Sequence, residues 1–153
     1  MRKLVAPDGE RIIAEAVRSA EASTAAQIVV VLEASLGLGE LISRQPPRER
    51  ALEVFSRERV WDTKANNGIL LYLLVADRDA EIIVDRGFND LVAPTEWAAI
   101  ADALSDDVAR LGFPAAIAVA IERIGAITSR VFPISAAPGV SHNELDNAVR
   151  IRP

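Results

Sequence analysis

Trp61 to Asn89 reads WDTKANNGILLYLLVADRDAEIIVDRGFN, and this stretch decides the fold. After Gly68 the segment to Ala76 is apolar at every position, with no polar alternation. A strand of that kind is buried on both faces and belongs in the middle of a sheet. Asp77-Arg78-Asp79 then makes a tight turn with Arg78 at its tip, and Glu81 to Val84 returns antiparallel. Asp85-Arg86-Gly87 ends the hairpin. Asp and Asn side chains therefore gather at both of its ends.

Working outward, Ile28 to Leu32 (IVVVL) is a second run of the doubly buried kind, closed by Glu33. Before it, Asp8 to Ala22 places Ile12, Ile13, Ala16, Val17 and Ala20 on one helical face. Pro7-Asp8 starts that helix and Ser23-Thr24 breaks it. Ser35 to Gln45 is a loop with two glycines, in which Leu36 to Ile42 reads as a partner-binding lid or as cover for the sheet edge. Pro46-Pro47 opens a second helix with Ala51, Leu52, Phe55 and Val60 facing inward. Downstream, a third helix begins near Pro94-Thr95 and carries Trp97, Ile100, Ala101, Leu104, Val108 and Leu111 at helical spacing. Gly112 closes it, Pro114 opens a fourth with Ile117, Ile121, Ile124 and Ile127, and Phe132-Pro133 stops that one. Residues 134–153, rich in small residues and proline, read as an extended tail behind a domain of residues 1–133.

The strand-helix-strand crossover makes the first two strands parallel, and the hairpin adds an antiparallel third. Strands apolar on both faces need cover on both sides. The expected fold is a three-layer α/β/α sandwich, a small mixed sheet covered by about four helices.

Composition narrows function. The chain has 153 residues, half of them hydrophobic, which suits one globular domain with a real core. A net charge of -5 without a basic face argues against nucleic acid. Cysteine is absent, which excludes thiolate zinc sites, disulfides and a cysteine nucleophile. MRKLVAPDGERII lacks the apolar core of a signal peptide, and the run Ile69 to Ala76 is too short to span a bilayer. The expectation is a soluble, cytoplasmic protein that does not cross a membrane.

The segment NNGILLYLLVADRDAEIIVDRG resembles the core signature of the TPM-domain family: Asn67-Gly68, an apolar strand, the Asp77 to Asp79 turn, a short strand and Gly87. Flanking pieces agree. Thr24 to Val31 matches the family's Thr and valine-rich strand, Trp97 its early helical Trp, and Phe132-Pro133 with Asn143-Glu144-Leu145 the ending of its soluble bacterial branch. Phe113-Pro114-Ala115-Ala116 stands where relatives often carry glycine, and Asp146 where they carry proline. Many relatives also have a signal peptide and a membrane anchor, so membrane-linked roles are not carried over. The resemblance implies an α/β/α sandwich. It also implies divalent-cation binding, calcium in particular, or, as an alternative, a metal-dependent acid phosphatase.

Strand direction sorts the polar residues into two groups. Asp62, Asn66 and Asn67 precede the central strand and lie beside Asp85, which ends its antiparallel neighbour. Two carboxylates, an Asn and loop carbonyls suit calcium or magnesium, with water completing the shell. The same residues equally suit helix caps and turns, and Asn67-Gly68 suits a corner of positive φ. Glu33, Asp77 and Asp79 form the second group. They lie where open α/β sheets bind ligands, and would hold magnesium or simply build a solvated turn. Lys64 and Arg86 stand near the first group as phosphate-binding cations. No nucleophile emerges, because His142 beside Ser141 lacks a third partner and reads as surface. Asp106-Asp107 reads as a solvated helix face. Three readings stay open: a cation-binding or accessory module with an unidentified protein partner, a weak phosphatase, and a structural interaction domain without metal.

Overall fold

The computed structural model describes residues 7–35, 45–134 and 143–153. The loop Leu36 to Ile42 and the Ser141-His142 pair lie outside the described residues. Within them the order is α1 (Pro7–Glu21), β1 (Gln27–Glu33), α2 (Pro47–Arg57), β2 (Gly68–Leu74), β3 (Asp79–Val84), α3 (Pro94–Leu111), α4 (Phe113–Val131) and β4 (Arg150–Arg152). A single 3-10 turn, Arg86–Phe88, follows β3.

The sheet runs β3-β2-β1-β4. β1 and β2 are parallel, with Gln27 opposite Gly68, and β3 is antiparallel to β2, with Val84 opposite Ile69. Every residue of β1 and β2 is buried, as continuous apolar runs require of central strands. Alternate side chains serve different layers. Ile28, Val30, Leu32, Ile69, Leu71 and Leu73 pack with α1, α3 and α4 in one core. Val29, Val31, Leu70, Tyr72 and Leu74 meet Ala51 and Val54 of α2 in the other. The expected α/β/α sandwich is therefore present, with three helices on one face and one on the other.

The tail ends as a strand. Arg150 to Arg152 pairs parallel with β1, Val31 opposite Arg150, and forms one edge of the sheet. Three residues reading Arg-Ile-Arg carry too little pattern to announce a strand. What holds them is distant: Glu58, just past α2, binds Arg150 at 3.1 Å and Arg152 at 3.6 Å.

Several inward assignments shift by one helical position. Ile12, Leu52 and Leu111 are exposed, while Arg50 is buried. Asp107 is also buried, contrary to the solvated face expected. It joins α3 to α4 through Arg123 at 2.9 Å and is held by Arg110 at 2.6 Å. Thr24, fully buried, ties the start of β1 to the end of α4. Its hydroxyl donates to the Phe132 carbonyl (2.6 Å) and accepts from the Ala26 N–H (3.1 Å).

Glu21, the last residue of α1, accepts the Ile28 N–H at 2.8 Å. Burial pushes its carboxyl from 4.5 up to about 7, against the opposing bonds from Ile28 and Asn147. A raised native value means that the folded state favours the protonated form. The stabilisation is complete below pH 4.5 and is lost as pH rises through about 7. Thermal melts between pH 5 and pH 8 are expected to show stability falling. The Glu21→Gln variant, which keeps the acceptor for Ile28, stays flat and exceeds the parent at pH 8 by about 1–2 kcal/mol, a figure discounted for partial solvent access. Parallel pH profiles of the two proteins would refute this.

Candidate functional site

The amino end of the parallel strands is built by the loop between α2 and β2. Thr63 organises it, its side-chain oxygen accepting the Asn67 N–H at 3.1 Å. The positive φ falls on Asn66 (52°), one residue before the expected Asn67-Gly68 corner. Gly68 is required for closeness instead, because a Cβ there would lie 1.9 Å from the Val60 carbonyl oxygen.

Two backbone bonds bring the β3 end to this loop. Asp85 N–H donates to the Gly68 carbonyl (3.0 Å), and Gly87 N–H donates to the Asn66 carbonyl (2.8 Å). Asn66, Asn67 and Asp85 are thus neighbours across one end of the β2–β3 ladder. Asp62 is exposed on the approach to the loop, its carboxylate bound by Arg59 at 2.8 Å. Trp61 is likewise exposed, with the Arg59 guanidinium 5.4 Å from its ring centre.

Asn67 and Asp85 each carry a structural duty. Asn67 is buried, and its amide donates to the Ala25 carbonyl (3.0 Å) while its own carbonyl accepts from Gln27 N–H (3.3 Å). Asp85 accepts the Arg86 N–H through Oδ1 at 2.7 Å, capping the 3-10 turn. Beyond these bonds two oxygens remain, Asn67 Oδ1 and Asp85 Oδ2, both shielded and both without a hydrogen-bond partner.

The tail supplies a further oxygen that spacing did not reveal. Gln27 Oε1 accepts the N–H groups of Glu144 (2.8 Å) and Leu145 (3.0 Å), and Glu144 Oε2 accepts the Lys64 N–H at 3.1 Å. The Asn143-Glu144-Leu145 segment is thereby docked on the Thr63 to Asn67 loop. Glu144 lies far from Lys64 along the chain, and its family ending was the only signal available.

The opposite end of the sheet is different. Glu33 is buried and its carboxylate is occupied: Arg50 donates to both oxygens, at 2.7 and 3.0 Å, and the Tyr72 hydroxyl donates at 2.7 Å. Burial alone would raise the Glu33 carboxyl. The bonds from Arg50 and Tyr72, with the fields of Arg50 and Arg152, hold it below its ordinary value. The Tyr72 hydroxyl is pushed up, by burial and then by Glu33. Asp77 and Asp79 stay with the β2–β3 turn, where Arg78 takes a positive φ of 52°. The second group therefore divides into a closed ion pair and a turn. Among the described residues, no three His, Cys, Asp or Glu side chains are grouped to hold a metal ion.

A family model described as the TPM domain matches residues 2–127, which is most of the chain. The chain belongs to the TPM-domain family. Its fold is similar to that of a solved structure, the NMR structure of BA42 protein from the psychrophilic bacteria Bizionia argentinensis sp. nov.. The two are 27% identical over 96% of this chain and 94% of that one, with a TM-score of 0.81. No protein among the curated ones matches. Among the described residues no helix is long and apolar enough to cross a membrane. In this TPM domain, the family's Asn-Gly and closing Gly serve close packing at one corner. A Cβ on Gly87 would fall 2.4 Å from the Asn66 carbonyl oxygen, and one on Gly68 would strike Val60.

Proposed function

We propose that this TPM domain is a binding or accessory module for a divalent cation, calcium or magnesium, held at the loop between α2 and β2. The observation that carries the reading is the pair of shielded, unpartnered oxygens, Asn67 Oδ1 and Asp85 Oδ2. Buried acceptors are nearly always satisfied, and an ion or a water is the ordinary reason for one that is not. Asp85 is the principal ligand in this reading, with Asn66 and Asn67 supplying neutral oxygens and Asp62 joining by exchanging its pair with Arg59. Mixed carboxylate and amide oxygens suit calcium, which takes six to eight, and water fills the rest. Few charged ligands on an open loop give weak binding, with Kd on the order of 10⁻⁴ to 10⁻³ M.

Calcium and magnesium titrations followed by amide NMR test it. Resonances of Asp62 to Gly68 and Asp85 to Gly87 are expected to move, and Asp85→Asn is expected to abolish the movement while leaving the remaining spectrum unchanged. Spectra that stay still at about 10 mM of either ion, well above the expected Kd, refute the reading.

A further inference from the structure

The sheet has one edge that the described residues leave open. β3 pairs with β2 on one side only. Asp85 bonds Gly68 across the ladder, so the alternate residues Ala80, Ile82 and Val84 direct their N–H and C=O groups outward. This edge forms the floor of a groove of about 650 Å³, walled on one side by Arg48 and Leu52 of α2 and on the other by Trp97 and Ala101 of α3. Leu52 is exposed there. Trp97 is 5% exposed, and its indole N–H has no acceptor. Outward ladder groups, an apolar side chain on each wall (Leu52 and Trp97) and an idle buried donor together describe a seat for an extended chain.

Charge gives the seat a direction. At the end where β3 begins, the groove is lined by Asp79 and Asp102, with Asp77 close by, and no cation pairs with Asp79 or Asp102 among the described residues. Glu81, further along, is already neutralised by Arg48 at 3.1 Å. Burial, then Asp77 and Asp102, raise the Asp79 carboxyl, consistent with an acidic corner lacking its counter-ion.

We propose that this edge binds an extended segment of a partner protein as an added β-strand, with alternating β-branched side chains and a lysine or arginine lying over Asp79 and Asp102. A second copy of this chain fits less well. Its β3 is recessed between the same two helices, and it carries no lysine or arginine between Asp79 and Val84 to lie over Asp79 and Asp102.

The probe is an acetylated, amidated peptide, Lys-Lys-Val-Thr-Val-Thr-Val, titrated into the labelled full chain. Amides of Ala80, Ile82 and Val84 and the Trp97 indole N–H are expected to shift. A peptide with Glu-Glu in place of Lys-Lys binds about tenfold more weakly, as like charges at an interface require. The double variant Asp79→Asn, Asp102→Asn removes that difference. A peptide N-methylated at alternate residues, unable to complete the ladder, leaves the spectrum unchanged. The proposal is overturned by a silent spectrum at millimolar peptide, by equal binding of the N-methylated peptide, or by edge shifts that follow protein concentration alone, which would mark a second copy.

Discussion

Replacing Arg50 by alanine is expected to destabilise the protein by about 3–5 kcal/mol, the cost of leaving a buried carboxylate without its partner. Glu33 ends β1 inside the sandwich, 4% exposed, and Arg50 reaches it from α2 with a two-pronged contact at 2.7 and 3.0 Å. Tyr72 completes the set from β2. Arg50 also bonds Glu53 at 3.0 Å, so the buried set is anchored to the exposed face of α2. Removing Arg50 leaves Glu33 with one donor in an apolar layer.

The pH dependence distinguishes this mechanism from simple loss of packing. The native Glu33 carboxyl sits below its ordinary 4.5, so its contribution is present above that value and is lost as pH falls through the lower native one. In Arg50→Ala the carboxyl moves upward and protonates readily. The gap between parent and variant is therefore largest near pH 7 and narrows toward pH 4. Urea denaturation at the two pH values measures it, and a gap independent of pH would show that the guanidinium acts only as bulk. Replacing Arg50 and Glu33 together by methionine, with Tyr72→Phe, restores most of the loss, because an apolar triad has nothing left to satisfy.

Gly68→Ala is expected to cost about 3 kcal/mol or more, at the upper end for overpacking because the obstacle is backbone. The added Cβ would lie 1.9 Å from the Val60 carbonyl oxygen, 3.0 Å from its carbonyl carbon and 3.1 Å from its Cγ1. Val60 is fully buried in the α2 layer, so it cannot withdraw without opening that core. β2 cannot withdraw either, being clamped between β1 and β3. The loop that carries Asp62 to Asn67 leads directly from Val60 to Gly68, and the strain would be released there. Amide spectra of Gly68→Ala should show shifts concentrated in that loop and in Asp85 to Gly87. A variant as stable as the parent would mean that Val60 gives way freely.

Much of this architecture is legible from local pattern. ILLYLLVA and IVVVL are apolar at successive positions, and their shortness, with β-branched residues in IVVVL and turn residues after ILLYLLVA, points to the centre of a covered sheet. Spacing marks the helices, but their exact facing depends on the partner layer: Leu52 is exposed while Arg50 is buried. Arg50 falls on the inward face with Ala51 and Val54, opposite the acidic end of β1. The pattern places a charge on that buried helical face, but its pairing with Glu33 follows only from the packing of α2 over β1.

Local periodicity specified β1, β2, β3 and the helices that cover them, because each depends on residues a few positions apart. Tertiary structure alone decided the rest. It closed Glu33 within a salt bridge, turned Arg150 to Arg152 into an edge strand, set Glu144 on the loop at Lys64, and left the outer face of β3 as a groove. Each of these joins residues far apart in the chain. Only packing brings such groups together, and no short window of sequence carries the energy that holds them.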